Sequence, residues 1–151
     1  MVYYFAYGSN MDQSQMKERS PESRLLSKGV LRDYEIAFTI YSPVRKCGCA
    51  DIVISRGNEV WGLIYSMTAD DIAKLDKFEG IPDNYKRIQI EIIDESGKFI
   101  RADSYSVVNK STNSLRPSMD YLFKMITAAE QFSFPNNYVK KLKEIKTTSE
   151  N

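Results

Sequence analysis

The sequence predicts an α+β domain built on a mixed or antiparallel, barrel-like sheet with helices at its periphery. Three observations predict it. Five to seven strand-like segments follow one another at hairpin-like spacing, two helical segments are gathered at the C-terminal end, and regular βαβ alternation is absent. No G-x-G-x-x-G follows a strand, which argues against a dinucleotide-binding fold.

The elements follow from local pattern. Val2 to Tyr7 is apolar and aromatic and reads as a buried strand. It ends in Gly8-Ser9-Asn10, and a polar, helix-permissive run from Asp12 to Arg19 follows. From Leu25 to Ile40 the residues Val30, Tyr34, Ile36, Phe38 and Ile40 mostly alternate, which argues one or two strands. Tyr41 to Gly48, with Pro43, Arg45 and Lys46, reads as a loop. Ala50 to Met67 reads as a β-hairpin with its turn at Gly57-Asn58. Thr68 then caps a short helix over Asp70 to Lys77, whose first turn is acidic. The segment FEGIPDNY cannot continue a helix.

Tyr85 to Ile93 is a clean strand, with Ile88, Ile90 and Ile92 on one face and Arg87, Gln89 and Glu91 on the other. Glu95 to Lys98 is a turn, and Phe99 to Val108 is the partner strand. A polar loop reaches Arg116. Pro117 then fits the first turn of a helix to about Gln131, and Pro135 opens another to about Ile145. Residues 1–145 are thus expected to form one domain, and 146–151 a frayed tail.

Composition bounds the function. The chain has 151 residues, 27% charged and 42% hydrophobic, values ordinary for a water-soluble domain. A formal net charge of +1 implies no broad attraction to nucleic acid or to a membrane surface. No apolar run has the length of a membrane span, and the N-terminal run lacks the charged flank of a secretory signal. There is no histidine, which removes Ser-His-Asp and Cys-His nucleophile systems and His-bearing metal sites. Cys47 and Cys49 are too few for a structural zinc site and read as free thiols in or beside a strand.

The start of the chain is the first candidate for chemistry. A buried strand feeding Gly8-Ser9-Asn10 and then a helix leaves backbone N–H groups without intrahelical partners, suited to a small carboxylate or phosphate. Gly8 allows close approach of the backbone or a positive φ. Ser9 lacks both the G-x-S-x-G context and a histidine base, so it reads as a hydrogen-bonding loop residue rather than a nucleophile. Glu79, where a helix gives way to a loop beside Phe78, reads from local context as a solvated acid at a helix end. Burial beside that aromatic would instead raise its pKa toward the range a general base needs. Of the ten tyrosines, Tyr85, Tyr105 and Tyr121 lie where a ring and an O–H can meet a ligand, though each taken singly reads as core. Arg87 and Arg101 lie on polar strand faces and read as solvated.

Together these segments resemble a known family. YYFAYGSN at 3–10 with Met11, EVWGLIYSM at 59–67 and LDKFEGIPDNYKR at 75–87 resemble the γ-glutamyl cyclotransferases. ADSYSVVN at 102–109 and the segment 117–145 look like the closing part of the γ-glutamylcyclotransferase branch. The resemblance implies a small mixed β-barrel-like core with peripheral helices, and a reaction in which a γ-glutamyl amide cyclises to 5-oxoproline and frees an amine or amino acid. It implies Glu79 as general acid/base, Tyr7, Gly8, Ser9 and Asn10 as the cradle of the glutamyl moiety, and Tyr85, Tyr105 and Tyr121 as pocket tyrosines. It implies no metal and no cofactor, a cytoplasmic enzyme, and a small γ-glutamyl substrate as the partner, with a homodimer compatible and neither nucleic acid nor membrane involved. Segment 41–50 and residues 81–84 depart from the family pattern and bear on the acceptor side.

That chemistry suits a chain without histidine. The substrate brings its own nucleophile, the α-amine, so the protein has only to select the folded glutamyl conformer, accept a proton and stabilise the oxyanion. Two other readings share the pocket: a γ-glutamylamine cyclotransferase or γ-glutamyl-deprotecting enzyme, and a non-catalytic module that binds a small acidic ligand.

Overall fold

Five short-to-long apolar strands are used to close a sheet upon itself, which leaves no free edge. The computed structural model describes residues 1–149. β1 (Val2–Ala6) is buried from Tyr4 onward because it is paired on both sides. It runs antiparallel to β3 (Cys47–Met67) and parallel to β5 (Phe99–Val107), meeting the latter at Tyr4 opposite Asp103. β2 (Arg24–Ser42) pairs antiparallel with β3 from Arg24↔Ser66 to Ser42↔Cys47, and with β4 (Tyr85–Asp94) at Gly29↔Asp94 and Val30↔Ile93. β4 and β5 pair from Tyr85↔Val107 to Ile93↔Phe99. The barrel order is β1-β3-β2-β4-β5, and the β1–β5 contact makes the sheet mixed. Phe5, Leu63, Ile64, Met67 and Ile92 fill its core.

Two expectations are corrected here. The expected hairpin over 50–67 is a single strand, because both flanks of Gly57-Asn58 pair with the same neighbour. Residues 47–54 lie against 34–42, and residues 59–66 against 24–32. The residues 55–58 form a bulge opposite Asp33, whose Oδ1 accepts a hydrogen bond from Gly57 N at 3.0 Å, with Asp33 at φ 66° and Gly57 at φ 86°. The turn residues therefore re-aim the strand and do not reverse it. The true reversal is the turn between Ser42 and Cys47, inside the segment expected to be loop, where Lys46 N donates to Ser42 O at 2.7 Å.

Helices cover the barrel. α1 (Gln13–Arg19) is capped by Asp12, which accepts from Ser14 N at 3.0 Å. α2 (Ala69–Phe78) begins in a reciprocal box between Thr68 and Asp71. α3 (Met119–Gln131) starts at Ser118, with Pro117 one residue ahead of the cap rather than in the first turn. It buries Leu122, Met125 and Ala129, a helical spacing. α4 (Asn136–Lys143) follows Pro135. The tail expected to fray is docked as far as it is described: Thr147 is buried and Thr148 N donates to Pro117 O at 3.0 Å, which ties this segment to the start of α3. The last two residues of that expected tail, 150 and 151, lie outside the described residues. Among the described residues no helix is long and apolar enough to cross a membrane.

Candidate active site

The end of β1, the β2–β3 turn, the end of α2 and the start of β4 meet around a pocket of about 720 Å³. Every residue expected at the site lines it: Tyr7, Gly8, Ser9, Asn10, Glu79, Tyr85, Tyr105 and Tyr121. After β1 the chain makes one 3-10 turn over Ser9–Met11, whose hydrogen bonds run from Met11 N to Gly8 O and from Asp12 N to Ser9 O. The amides of Ser9 and Asn10 precede the first of these donors. Gly8 has φ −115°, so of its two expected uses the close approach applies and the positive φ does not. A Cβ there would stand 3.2 Å from both Ala50 Cβ and Tyr121 OH. Gly8→Ala is therefore expected to push the turn off the Tyr121 wall and lower kcat/KM by about 10–100-fold, with unfolding checked by thermal melting.

Asn10 is buried and fully engaged. Its Nδ2 donates to Tyr4 OH at 2.9 Å and to Glu79 Oε1 at 3.1 Å, while its Oδ1 accepts from Gln15 Nε2 at 2.9 Å and Arg19 Nη1 at 3.0 Å. The amide thus has one assignment that satisfies all partners, and it holds Glu79 and Arg19 on opposite sides.

Glu79 is the C-terminal cap of α2, and its N–H donates to Leu75 O at 3.2 Å. Its carboxyl is half-buried and turned into the pocket rather than solvated at a helix end, as local context suggested. Loss of water pushes its pKa up to about 7; Asp76 adds to the rise, while Arg19, the Asn10 hydrogen bond and Arg45 oppose it. Gly80, at φ 68°, makes the turn that follows, where a side chain would strike Asn84.

The tyrosines build the walls through their own hydrogen bonds. Tyr7 OH donates to Tyr105 O at 2.7 Å, and Tyr105 OH donates to Asp76 Oδ1 at 2.7 Å. The peptide of Ala50 is held at both ends: Tyr85 OH donates to its carbonyl at 2.9 Å, and its N–H donates to Tyr121 OH at 3.0 Å. Tyr121 accepts there and keeps its own O–H to donate. Burial raises the pKa of all four phenols, so they stay neutral.

Ser9 is a hydrogen-bonding residue as expected, its Oγ accepting from Gln15 Nε2 at 2.9 Å and Arg45 Nη2 at 3.4 Å. Cys47 and Cys49 are free and buried, and burial pushes the Cys49 thiol up to about 11, which keeps it protonated in the pocket wall. Among the described residues no cluster of His, Cys, Asp or Glu is arranged to hold a metal.

Sequence reading missed Tyr4, Arg19, Arg45 and Asn84, which also line the pocket. Arg87 and Arg101 are exposed, as their polar strand faces predict, and Arg87 lies 3.5 Å from Asp76 and 3.6 Å from Asp103. The pocket arginines come from the end of α1 and from the β2–β3 turn. A cation beside Pro43 in an otherwise uninformative loop was the available signal for Arg45.

A closed mixed barrel with this mouth places the chain among known proteins. It belongs to the AIG2-like family, whose model matches residues 59–142. It is 33% identical over 149 residues to the γ-glutamylcyclotransferase of Bos taurus, covering 94% of this chain and 77% of that protein. The Homo sapiens γ-glutamylcyclotransferase is 31% identical over 147 residues with the same coverage. A solved γ-glutamyl cyclotransferase structure superposes with a TM-score of 0.92 at 29% identity, covering 99% of this chain and 90% of that one.

Proposed function

We propose that this protein is a γ-glutamylcyclotransferase, the activity for which its relatives are named, with Glu79 as general acid/base. The observation that carries the mechanism is the Glu79 carboxyl in the pocket wall, held by Asn10 Nδ2 at 3.1 Å beside a turn whose leading amides have no intrahelical acceptor; loss of water there raises its pKa to about 7. An ordinary glutamate, at about 4.3, lies several units below an α-amine near ~8, so proton transfer to it is uphill by roughly 5 kcal/mol. A carboxyl at about 7 reduces that gap to roughly 1–2 kcal/mol.

The α-ammonium gives a proton to Glu79, and the free amine forms a C–N bond to the γ-carbonyl carbon. The oxyanion is stabilised by donors of the Ser9–Asn10 turn or the Tyr121 O–H, and the original γ-amide C–N bond then breaks. Glu79 returns the proton to the departing nitrogen, and the carboxylate so restored takes the second proton from the ring nitrogen and passes it to the released amine, which leaves a neutral lactam. The products are 5-oxoproline and a free amine. Tyr7, Tyr85 and Tyr105 contribute fixed, neutral walls that hold the glutamyl chain folded for ring closure. The reaction needs neither nucleophilic side chain nor cofactor. A cytoplasmic setting and a place in glutathione metabolism fit the two free thiols and the substrate class.

Incubation with γ-L-glutamyl-L-alanine and assay of 5-oxoproline tests this. Product is expected, with kcat/KM rising about tenfold per pH unit below about 7 and flattening above it, because the base must be ionised. Binding without product would instead assign the pocket to a non-catalytic module.

A further inference from the structure

A guanidinium drawn out of water is stabilised by an anion, and without one its charge remains uncompensated. Arg19 and Arg45 both line the pocket, and neither has a carboxylate ion-pair partner among the described residues. Arg19 donates to the neutral Asn10 Oδ1 and lies 5.3 Å from the Phe78 ring centre. Arg45 Nη2 donates to Gln15 Oε1 at 3.0 Å and to Ser9 Oγ at 3.4 Å, and its guanidinium lies 5.1 Å from the Tyr121 ring centre. Neutral acceptors and aromatic faces orient these cations; the one pocket anion that both favour, Glu79, forms no ion pair with either among the described residues, so two cations share a single carboxyl and charge remains for a ligand.

A γ-glutamyl amino acid carries two carboxylates and one ammonium. The pocket presents two guanidiniums and one carboxyl. The ammonium and the glutamyl carboxylate share one carbon, so the cation nearest Glu79 is matched to that carboxylate. Asn10 alone bridges Glu79 and Arg19, at 3.1 and 3.0 Å. Arg45 lies one link further out, with Gln15 between it and Asn10. The leaving nitrogen is bonded at the far end of the glutamyl chain, on the γ-carbon. Arg45 also rides on the tip of the β2–β3 hairpin, where its N–H donates to Ser42 Oγ at 3.1 Å beside the fully open Val44. That tip is the outer wall, where a leaving group must exit.

We propose that Arg45 is a specificity-determining residue whose guanidinium binds the carboxylate of the leaving amino acid, selecting γ-glutamyl amino acids over γ-glutamyl amines. The assignment rests on the cyclisation reading above. It gives the segment that departs from the family pattern a role on the acceptor side. It also ranks the two enzyme readings, because an amine leaving group offers Arg45 no anion.

The test compares 5-oxoproline release from γ-L-glutamyl-L-alanine with release from γ-L-glutamyl-L-alaninamide, which differs only in replacing that carboxylate by a carboxamide. Wild type is expected to favour the acid by about 10–100-fold in kcat/KM. In Arg45→Gln this ratio falls to about 1–3, and in Arg45→Lys, which keeps charge but not the planar fork, it lies between. An unchanged ratio in Arg45→Gln overturns the assignment, whether the variant stays active or loses activity equally on both substrates. Release from neither substrate by wild type overturns the cyclisation reading and this assignment with it.

Discussion

Glu79→Gln is expected to lower kcat by about 10²–10⁴-fold while making the protein more stable at alkaline pH. Glutamine keeps an oxygen for the Asn10 hydrogen bond and fills the same space, so the variant isolates the titrating proton. In the folded chain burial holds this carboxyl at about 7, against an ordinary value of 4.5. Ionising it therefore costs the folded state free energy that the unfolded chain does not spend. Stability linked to the neutral form is complete below about pH 4.5 and falls as pH rises to about 7, beyond which the loss is constant. Glutamine is neutral throughout. The variant should match wild type at pH 4 and gain roughly 1–3 kcal/mol at pH 8, about 2–12 °C in Tm. Wild-type turnover in this variant ends the general acid/base assignment. A Tm gain of equal size at both pH values ends the burial explanation.

The second large effect lies beneath the site. Asp51 has no exposed surface, and its carboxylate draws three strands and a loop together. Oδ1 accepts from Ile52 N at 2.8 Å, Val107 N at 3.0 Å and Ser106 Oγ at 3.3 Å. Oδ2 accepts from Thr39 Oγ1 at 2.8 Å and from Lys110 Nζ at 2.6 Å. Lys110 also donates to Val107 O, which pins the start of the loop after β5. Asp51→Ala leaves two buried amides and two buried hydroxyls without their acceptor, so a loss of about 3–5 kcal/mol is expected, measured by urea denaturation. Asp51→Asn keeps part of the acceptor set and should lose about 1–3 kcal/mol. Because Ala50 next door is the peptide that Tyr85 and Tyr121 grip, activity at a temperature where Asp51→Asn is folded should also fall. A midpoint for Asp51→Ala equal to wild type would show that water replaces the network at no cost.

Local signals in the chain matched what local physics controls. Strand alternation in Tyr85–Ile93, the Thr68 cap and the abrupt end of β1 at Gly8 all reappear in the fold. Gly57-Asn58 misled because a turn signature reports a backbone bend, and pairing partners decide whether the bend reverses the chain. Asp51 was legible in principle, as a charge inside the apolar run CGCADIVI, but apart from the adjacent Ile52 its partners lie 12 to 59 positions away. Glu79 shows the same boundary: its neighbours in sequence suggest a solvated acid, while Asn10, Arg19 and Arg45 arrive from the turn after β1, from α1 and from the β2–β3 turn.

By itself, the sequence determined the α+β class, the Gly8-Ser9-Asn10 turn and the absence of a histidine base, since each depends on residue type and short spacing. Only the tertiary structure decided that Glu79 is half out of water near neutrality and that Arg19 and Arg45 face the pocket with no carboxylate in ion-pair reach among the described residues. Desolvation and Coulomb interaction are sums over everything within several ångströms, and those neighbours are set by the closing of the barrel.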